Sequence, residues 1–183
     1  ISKINNNTGL VVLLNPNSPI GTTYTMEEMR RILKKAKENQ SLVVIDEAYH
    51  YFCKSTFSKE IQENNHLVVL RTFSKLCSIA GLRVGYAMGN PQLITYIENA
   101  QSTFNVNSVG ILFATEILKR PDMMNEMIVE EQEGRAWITS TLGEHGYRVI
   151  SREGNYVLFQ PNKNSSYIVE EMKKQGVWVR DYG

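Results

Sequence analysis

Lys75 closes the run LVVLRTFSK, and Asp46 and Tyr49 fall within VVIDEAYHYF upstream of it. Thr72 and Ser74 precede the lysine, and Arg83 follows it within AGLRVGY. An amine, a carboxylate, a phenol, hydroxyls and a guanidinium form the set that an aromatic aldehyde cofactor with a phosphate tail requires. The aldehyde needs an amine to condense with, the ring nitrogen an anion, the ring hydroxyl a donor, and the phosphate cations or hydroxyls. Pyridoxal 5'-phosphate is such a cofactor. On this reading Lys75 condenses with the aldehyde and later serves as the base that takes a proton from the substrate carbon. Asp46 keeps the pyridine nitrogen protonated, so that the ring draws electrons from that carbon. Tyr49 donates to the ring hydroxyl. Thr72, Ser74 and Arg83 hold the phosphate, Arg83 with the planar fork that suits phosphate oxygens.

The elements that must position these groups are legible as apolar runs. Leu42 to Ile45 and Leu67 to Leu70 are short, rich in β-branched residues and closed by polar clusters, the pattern of buried parallel strands. Their polar residues emerge at carboxyl ends, where open α/β sheets bind ligands, so the two clusters are expected to share one crevice. Leu10 to Leu14 reads as another strand. Thr25, with Glu28 three residues on, forms a capping box that opens a helix reaching about Glu38. Such alternation implies an α/β fold with a mostly parallel sheet flanked by helices. Arg83 to Met88 reads as a further strand, and Pro91 to Gln101 and Val109 to Lys119 read as helices. Pro121 marks a boundary between residues 1–120, a partial cofactor-binding domain, and residues 121–183, a small α+β domain. The latter is expected to hold a long helix from Met123 to Leu142, strands at Tyr147 to Ile150, Tyr156 to Gln160 and Val177 to Val179, and a helix from Ser166 to Gln175. The tetrapeptide TFSK occurs twice, at Thr56 to Lys59 and Thr72 to Lys75. The first copy follows no apolar strand and runs into EIQENN, so it reads as a solvated helix start. The chemistry is therefore assigned to Lys75 and not to Lys59.

Composition excludes several classes. The 20 basic and 19 acidic residues nearly cancel, which argues against nucleic acid or another polyanion as partner. The apolar runs are strand-sized, and no basic-then-apolar leader opens the chain, so neither a membrane nor export is expected and the cytoplasm is the default. Cys53 and Cys77 have no CxxC spacing, which fits a reducing compartment. Cys77 lies beside the candidate site and reads as a buried apolar residue rather than a reactive one. His50, His66 and His145 show no metal-ligand spacing, so no metal is expected.

Read alone, each motif has a plainer meaning. NPNSPIG is a Pro/Gly turn between a strand and a helix, DEAY a helix start, and Arg83 and Arg180 surface ion-pair partners. Their order changes this. NPNSPIG at Asn15 to Gly21, DEAY at Asp46 to Tyr49, RTFSK at Arg71 to Lys75, AGLRVGY at Ala80 to Tyr86 and GVWVRDYG at the end follow one another. From about Leu10 to Gly183 the chain resembles the fold-type I, class I/II aminotransferases, most closely the histidinol-phosphate aminotransferase branch. The resemblance implies that Lys75 is the Schiff-base lysine, Asp46 the pyridine-nitrogen partner, Tyr49 the ring-hydroxyl partner, and Thr72, Ser74 and Arg83 phosphate ligands. It makes Arg180 a substrate-binding arginine. The implied activity is amino-group transfer between an amino acid and a keto-acid or phosphorylated keto compound, in a homodimer. In two respects the chain departs from that family. The family writes NPNNPTG where this chain has Ser18 and Ile20, leaving Asn17 as the candidate for the ring-hydroxyl contact. Family chains are also much longer, so this one resembles an internal fragment. Two alternatives stay open: a pyridoxal-phosphate decarboxylase of a phosphorylated amino acid, and a non-catalytic fragment that acts only with missing segments or a second copy.

Overall fold

A computed structural model describes all 183 residues. Four strands, β1 (Leu10–Leu14), β2 (Leu42–Asp46), β3 (Leu67–Thr72) and β4 (Gly85–Gly89), form one sheet in sequence order. β1, β2 and β3 are parallel, whereas β4 runs antiparallel to β3. The β1–β2 connection is helix α1 (Met26–Glu38), which begins with the expected capping box. Thr25 Oγ1 accepts from the Glu28 amide, and Glu28 Oε2 accepts from the Thr25 amide at 2.8 Å. Met29, Leu33 and Ala36 recur at helical spacing and are buried on Val43, Ile45, Leu67, Val69 and Phe57. Period-two alternation sends every second strand residue to that core.

The other face of the sheet is apolar and open. Leu10, Val12 and Leu14 are 42–54% exposed, and Leu42 and Leu70 continue the patch across the register. Parallel strands ordinarily bury both faces.

β4 begins later than the sequence suggests, because Arg83 takes a left-handed conformation (φ 56°) and Gly85 is the first paired residue. After it come α2 (Pro91–Asn99), α3 (Ser108–Leu118) and α4 (Pro121–Glu144), the last starting with Pro121 in its first turn, where a missing N–H costs nothing. A second core gathers Phe52, Phe73, Leu76, Cys77 and Val84 against Ala114, Ile117 and Met124 of α3 and α4. β5 (Arg148–Ile150) and β6 (Leu158–Gln160) form a separate antiparallel pair, followed by α5 (Ser165–Lys174).

Three expectations are corrected. Tyr156 and Val157 lie outside β6, since Tyr156 turns away to dock on Asn17. Val177 to Val179 pairs with no strand, and Trp178 is 78% exposed. The first TFSK copy is not solvated: Thr56 binds the Glu47 carboxylate, Phe57 is 1% exposed, and a short 3-10 helix runs over Ser58–Gln62.

Candidate active site

The carboxyl ends of β2 and β3 lie side by side, with Asp46 registered opposite Leu70. Asp46 therefore stands next to the strand end that delivers Thr72, Ser74 and Lys75. Its Oδ1 accepts from the Ala48 amide at 2.9 Å, which turns the chain sharply after the strand and presents Tyr49. Lys75 lies on the connection between β3 and β4, held by Phe73, Leu76 and Cys77, which are all buried. Lys75 itself is exposed, with Nζ 5.1 Å from the centre of the Tyr49 ring. That contact is a cation–π pair between the two residues assigned to the aldehyde and the ring hydroxyl.

Thr72 and Ser74 also meet. Thr72 Oγ1 lies 2.9 Å from Ser74 Oγ, accepts from the Ser74 amide and donates to the Val84 carbonyl. Two hydroxyls and an amide are thus gathered at the carbonyl of Val84, the residue after Arg83 in sequence. The Arg83 guanidinium folds back, one nitrogen donating to the Ala80 carbonyl at 3.0 Å.

On its other side Tyr49 meets Tyr156 edge-on, at 5.1 Å between centroids and an interplanar angle of 85°. The Tyr156 hydroxyl donates to the Asn17 carbonyl at 2.6 Å. Burial, and then the neighbouring Tyr49, push the Tyr156 phenol up to about 12, so it stays a neutral donor. The preceding turn is clamped to the first motif. Glu153 donates its amide to Gly21, Gly154 donates to Phe52, and Arg135 of α4 donates to the Arg152 carbonyl. Asn17 has its side-chain oxygen engaged with Thr22 Oγ1 at 3.0 Å.

A cleft of about 750 Å³ opens beside this cluster. Ser18, Pro19, Tyr49 and Tyr156 line one part, and Arg148 and Arg180 another. Arg180 packs over Tyr182 at 5.8 Å. Lys75, Asp46, Tyr49, Thr72 and Ser74 therefore share one sheet edge, while Arg180 shares with them only the cleft that Tyr49 also lines. Cys77 is buried, and burial pushes its thiol up, which keeps it unreactive.

Sequence reasoning missed Tyr156 and the pair Glu47 and Arg71. Glu47 is 1% exposed, and its Oε2 accepts from Nε and Nη2 of Arg71, each at 3.0 Å. A usable signal existed: both residues lie within the quoted motifs and on the same parity as their strands' core residues.

The residues present fit pyridoxal phosphate. They offer an amine against a phenol, a carboxylate at a strand end, and paired hydroxyls, with Arg83 on the same connection turned to the Ala80 carbonyl. No cluster of potential metal ligands occurs, and no helix is long and apolar enough to cross a membrane.

Comparison with known proteins agrees. The family model for aminotransferase class I and II matches residues 1–183. The histidinol-phosphate aminotransferase of Thermoanaerobacter sp. (strain X514) is 36% identical over 174 residues, covering 94% of this chain and 48% of that protein. That of Hydrogenovibrio crunogenus, its second, is 33% identical over 97% of this chain and 48% of its own. Among solved structures, histidinol-phosphate aminotransferase from Sinorhizobium meliloti, in complex with pyridoxal-5'-phosphate, superposes with a TM-score of 0.84 at 26% identity, over 97% of this chain and 50% of that one. The chain spans about half the length of the curated relatives it matches. With its motifs in order, its strand ends converging and its whole length matched, the chain belongs to the class I and II aminotransferases.

Proposed function

We propose that this chain supplies the cofactor-holding part of a pyridoxal-phosphate aminotransferase that moves an amino group between an amino acid and a keto-acid or phosphorylated keto compound, in the manner of the histidinol-phosphate aminotransferases. The observation that carries this is Lys75 Nζ held 5.1 Å over the Tyr49 ring, at the sheet edge that also carries Asp46. When bound, the cofactor supplies an electron-poor ring that draws density from the substrate's α-carbon. Asp46 holds a proton at the ring nitrogen. Tyr49 donates its phenol proton to the ring oxygen. Lys75 Nζ is the base that takes the α proton and returns it. Thr72, Ser74 and Arg83 bind the phosphate. Asn17 would supply the ring-hydroxyl contact in place of Ser18, and Arg180, which lines the cleft with Tyr49, would bind the anionic end of the substrate. Residues 121–183 act as the smaller unit closing that cleft. The whole protein works as a homodimer in the cytoplasm, and the exposed apolar residues of α3, among them Leu112 at 60%, support the self-association.

The test is an absorption spectrum of the chain with added pyridoxal phosphate, wild type beside Lys75→Ala, followed by borohydride reduction and peptide mapping. A visible band in the wild type only, with the label on Lys75, is the expected outcome. Label spread over other lysines such as Lys59, or equal bands in both proteins, would sink the assignment.

A further inference from the structure

Among the charged residues of the strand-end motifs, Glu47, second in DEAY, and Arg71, first in RTFSK, have no role in the function proposed above. They are 24 residues apart, and they bind each other. Glu47 Oε2 accepts from Nε and Nη2 of Arg71, both at 3.0 Å, with the Glu47 side chain fully buried and that of Arg71 13% exposed. Glu47 Oε1 accepts from the Phe57 amide at 2.7 Å, and Thr56 Oγ1 donates to the same carboxylate while accepting from Arg71 Nη2 at 2.8 Å. The Glu47 amide donates to the Leu70 carbonyl, extending the β2–β3 ladder one rung beyond β2. One carboxylate therefore gathers three segments: the end of β2, which carries Asp46; the loop through Thr56 and Phe57, which begins at Tyr49; and the end of β3, which leads to Thr72, Ser74 and Lys75.

Strand parity separates this pair from any ligand. Glu47 and Arg71 point to the face that holds Ile45, Val69 and Phe57, whereas Asp46 and Thr72, one residue from each, point to the other. The pair cannot touch a cofactor bound at Asp46, yet a rotation of either strand end would move that end's member of the pair and its neighbouring site residue together. Stability alone does not explain it. A buried ion pair contributes little beyond what a well-packed apolar pair of similar volume would contribute, but it accepts only one geometry.

We propose that Glu47 and Arg71 are positioning residues that set the separation and direction of the strand ends bearing Asp46, Tyr49 and Lys75. This rests on the pyridoxal-phosphate reading of the site. The experiment compares Glu47→Gln, Arg71→Lys and the pair Glu47→Gln/Arg71→Met, which leaves no lone buried charge, with Ala36→Gly, a destabilising change in α1. Each protein is titrated with pyridoxal phosphate and then with pH, following the visible band trapped at Lys75, and its melting temperature is recorded. The expected result is an affinity for pyridoxal phosphate weaker by about tenfold or more, the scale on which loss of a supporting outer residue acts. The pH midpoint of the band should also shift in the Glu47 and Arg71 variants, including the pair whose melting temperature stays near wild type. Ala36→Gly should melt earlier with an unmoved midpoint. Folded variants that bind and titrate as wild type would overturn the proposal, as would an affinity loss that tracks melting temperature equally in Ala36→Gly. Absence of a Lys75-trapped band in the wild type would instead overturn the cofactor reading, and this proposal with it.

Discussion

A methyl group at Gly21 should undock the turn that backs Tyr49. Gly21 has φ +76°, and a Cβ there would lie 2.1 Å from the Glu153 carbonyl oxygen and 3.0 Å from the Glu153 nitrogen. Both are backbone atoms, so no side-chain rotation relieves the clash, and the turn over Arg152 to Gly154 has to move by roughly an ångström or more. The left-handed conformation alone costs an L-residue roughly 1–2 kcal/mol. Displacing the turn breaks the bond from the Glu153 amide to the Gly21 carbonyl, worth about 0.5–1.5 kcal/mol. Gly21→Ala is therefore expected to cost about 2–3 kcal/mol in urea unfolding followed by circular dichroism. Gly146→Ala is the control, since Gly146 has φ +81° with nothing within 4 Å, and it should lose only the conformational part, about 1–2 kcal/mol. The displaced turn also draws Tyr156 from the Tyr49 ring, so Gly21→Ala should weaken pyridoxal-phosphate binding and Gly146→Ala should not. Equal losses of stability in the two variants would show that the Glu153 backbone does not pack against Gly21 as closely as this.

Two further outcomes follow from neighbouring contacts. Tyr156→Phe removes the donor to the Asn17 carbonyl and keeps the ring contact with Tyr49; a loss of about 1 kcal/mol in urea unfolding is expected, and an unchanged midpoint would show that water serves Asn17 equally well. Burial first, and then the Arg71 charge, hold the His50 imidazole below its usual range, against a smaller pull from Glu47. Because the folded value lies below the unfolded one, this contribution is complete above about pH 6.5 and is lost as the pH falls through that value toward the folded pKa. Wild type should lose melting temperature between about pH 7 and pH 5 more steeply than His50→Gln, and parallel profiles would contradict the assignment.

β1, α1, β2 and β3 were legible because each carries its own signal: an apolar run closed by polar residues, or a cap with its reciprocal glutamate. β1 runs over Leu10–Leu14 as read. Val177 to Val179 has the composition of a strand but pairs with none, since β-propensity is realised only against a partner edge. Arg83 defeated the reading of β4 because a left-handed arginine leaves no mark in hydropathy. The grouping of Lys75 with Tyr49 followed from the rule for strand ends. Tyr156 and the Glu47–Arg71 contact did not, because they depend on a turn docked 139 residues away and on strand register. The first TFSK copy misleads for a related reason: Thr56 and Phe57 both donate to the Glu47 carboxylate, a partner invisible in local sequence.

The reversal at β4 affects how freely the lysine-bearing connection could be redesigned. It leaves the sheet at Thr72 and re-enters at Gly85, residues paired on adjacent strands, so its two ends are fixed at one rung. Phe73, Leu76, Cys77 and Val84 anchor its shoulders, whereas Ser78, Ala80 and Gly81 are exposed. Lengthening the crest between Ser78 and Gly81 would cost closure entropy, about 0.6 kcal/mol for each doubling, and would loosen the Arg83 contact with the Ala80 carbonyl, but would shift no strand by a residue. The hairpin thus separates what must stay constant from what is free to vary: insertions at its tip can reshape the approach to Lys75 while every rung beneath it keeps its partner.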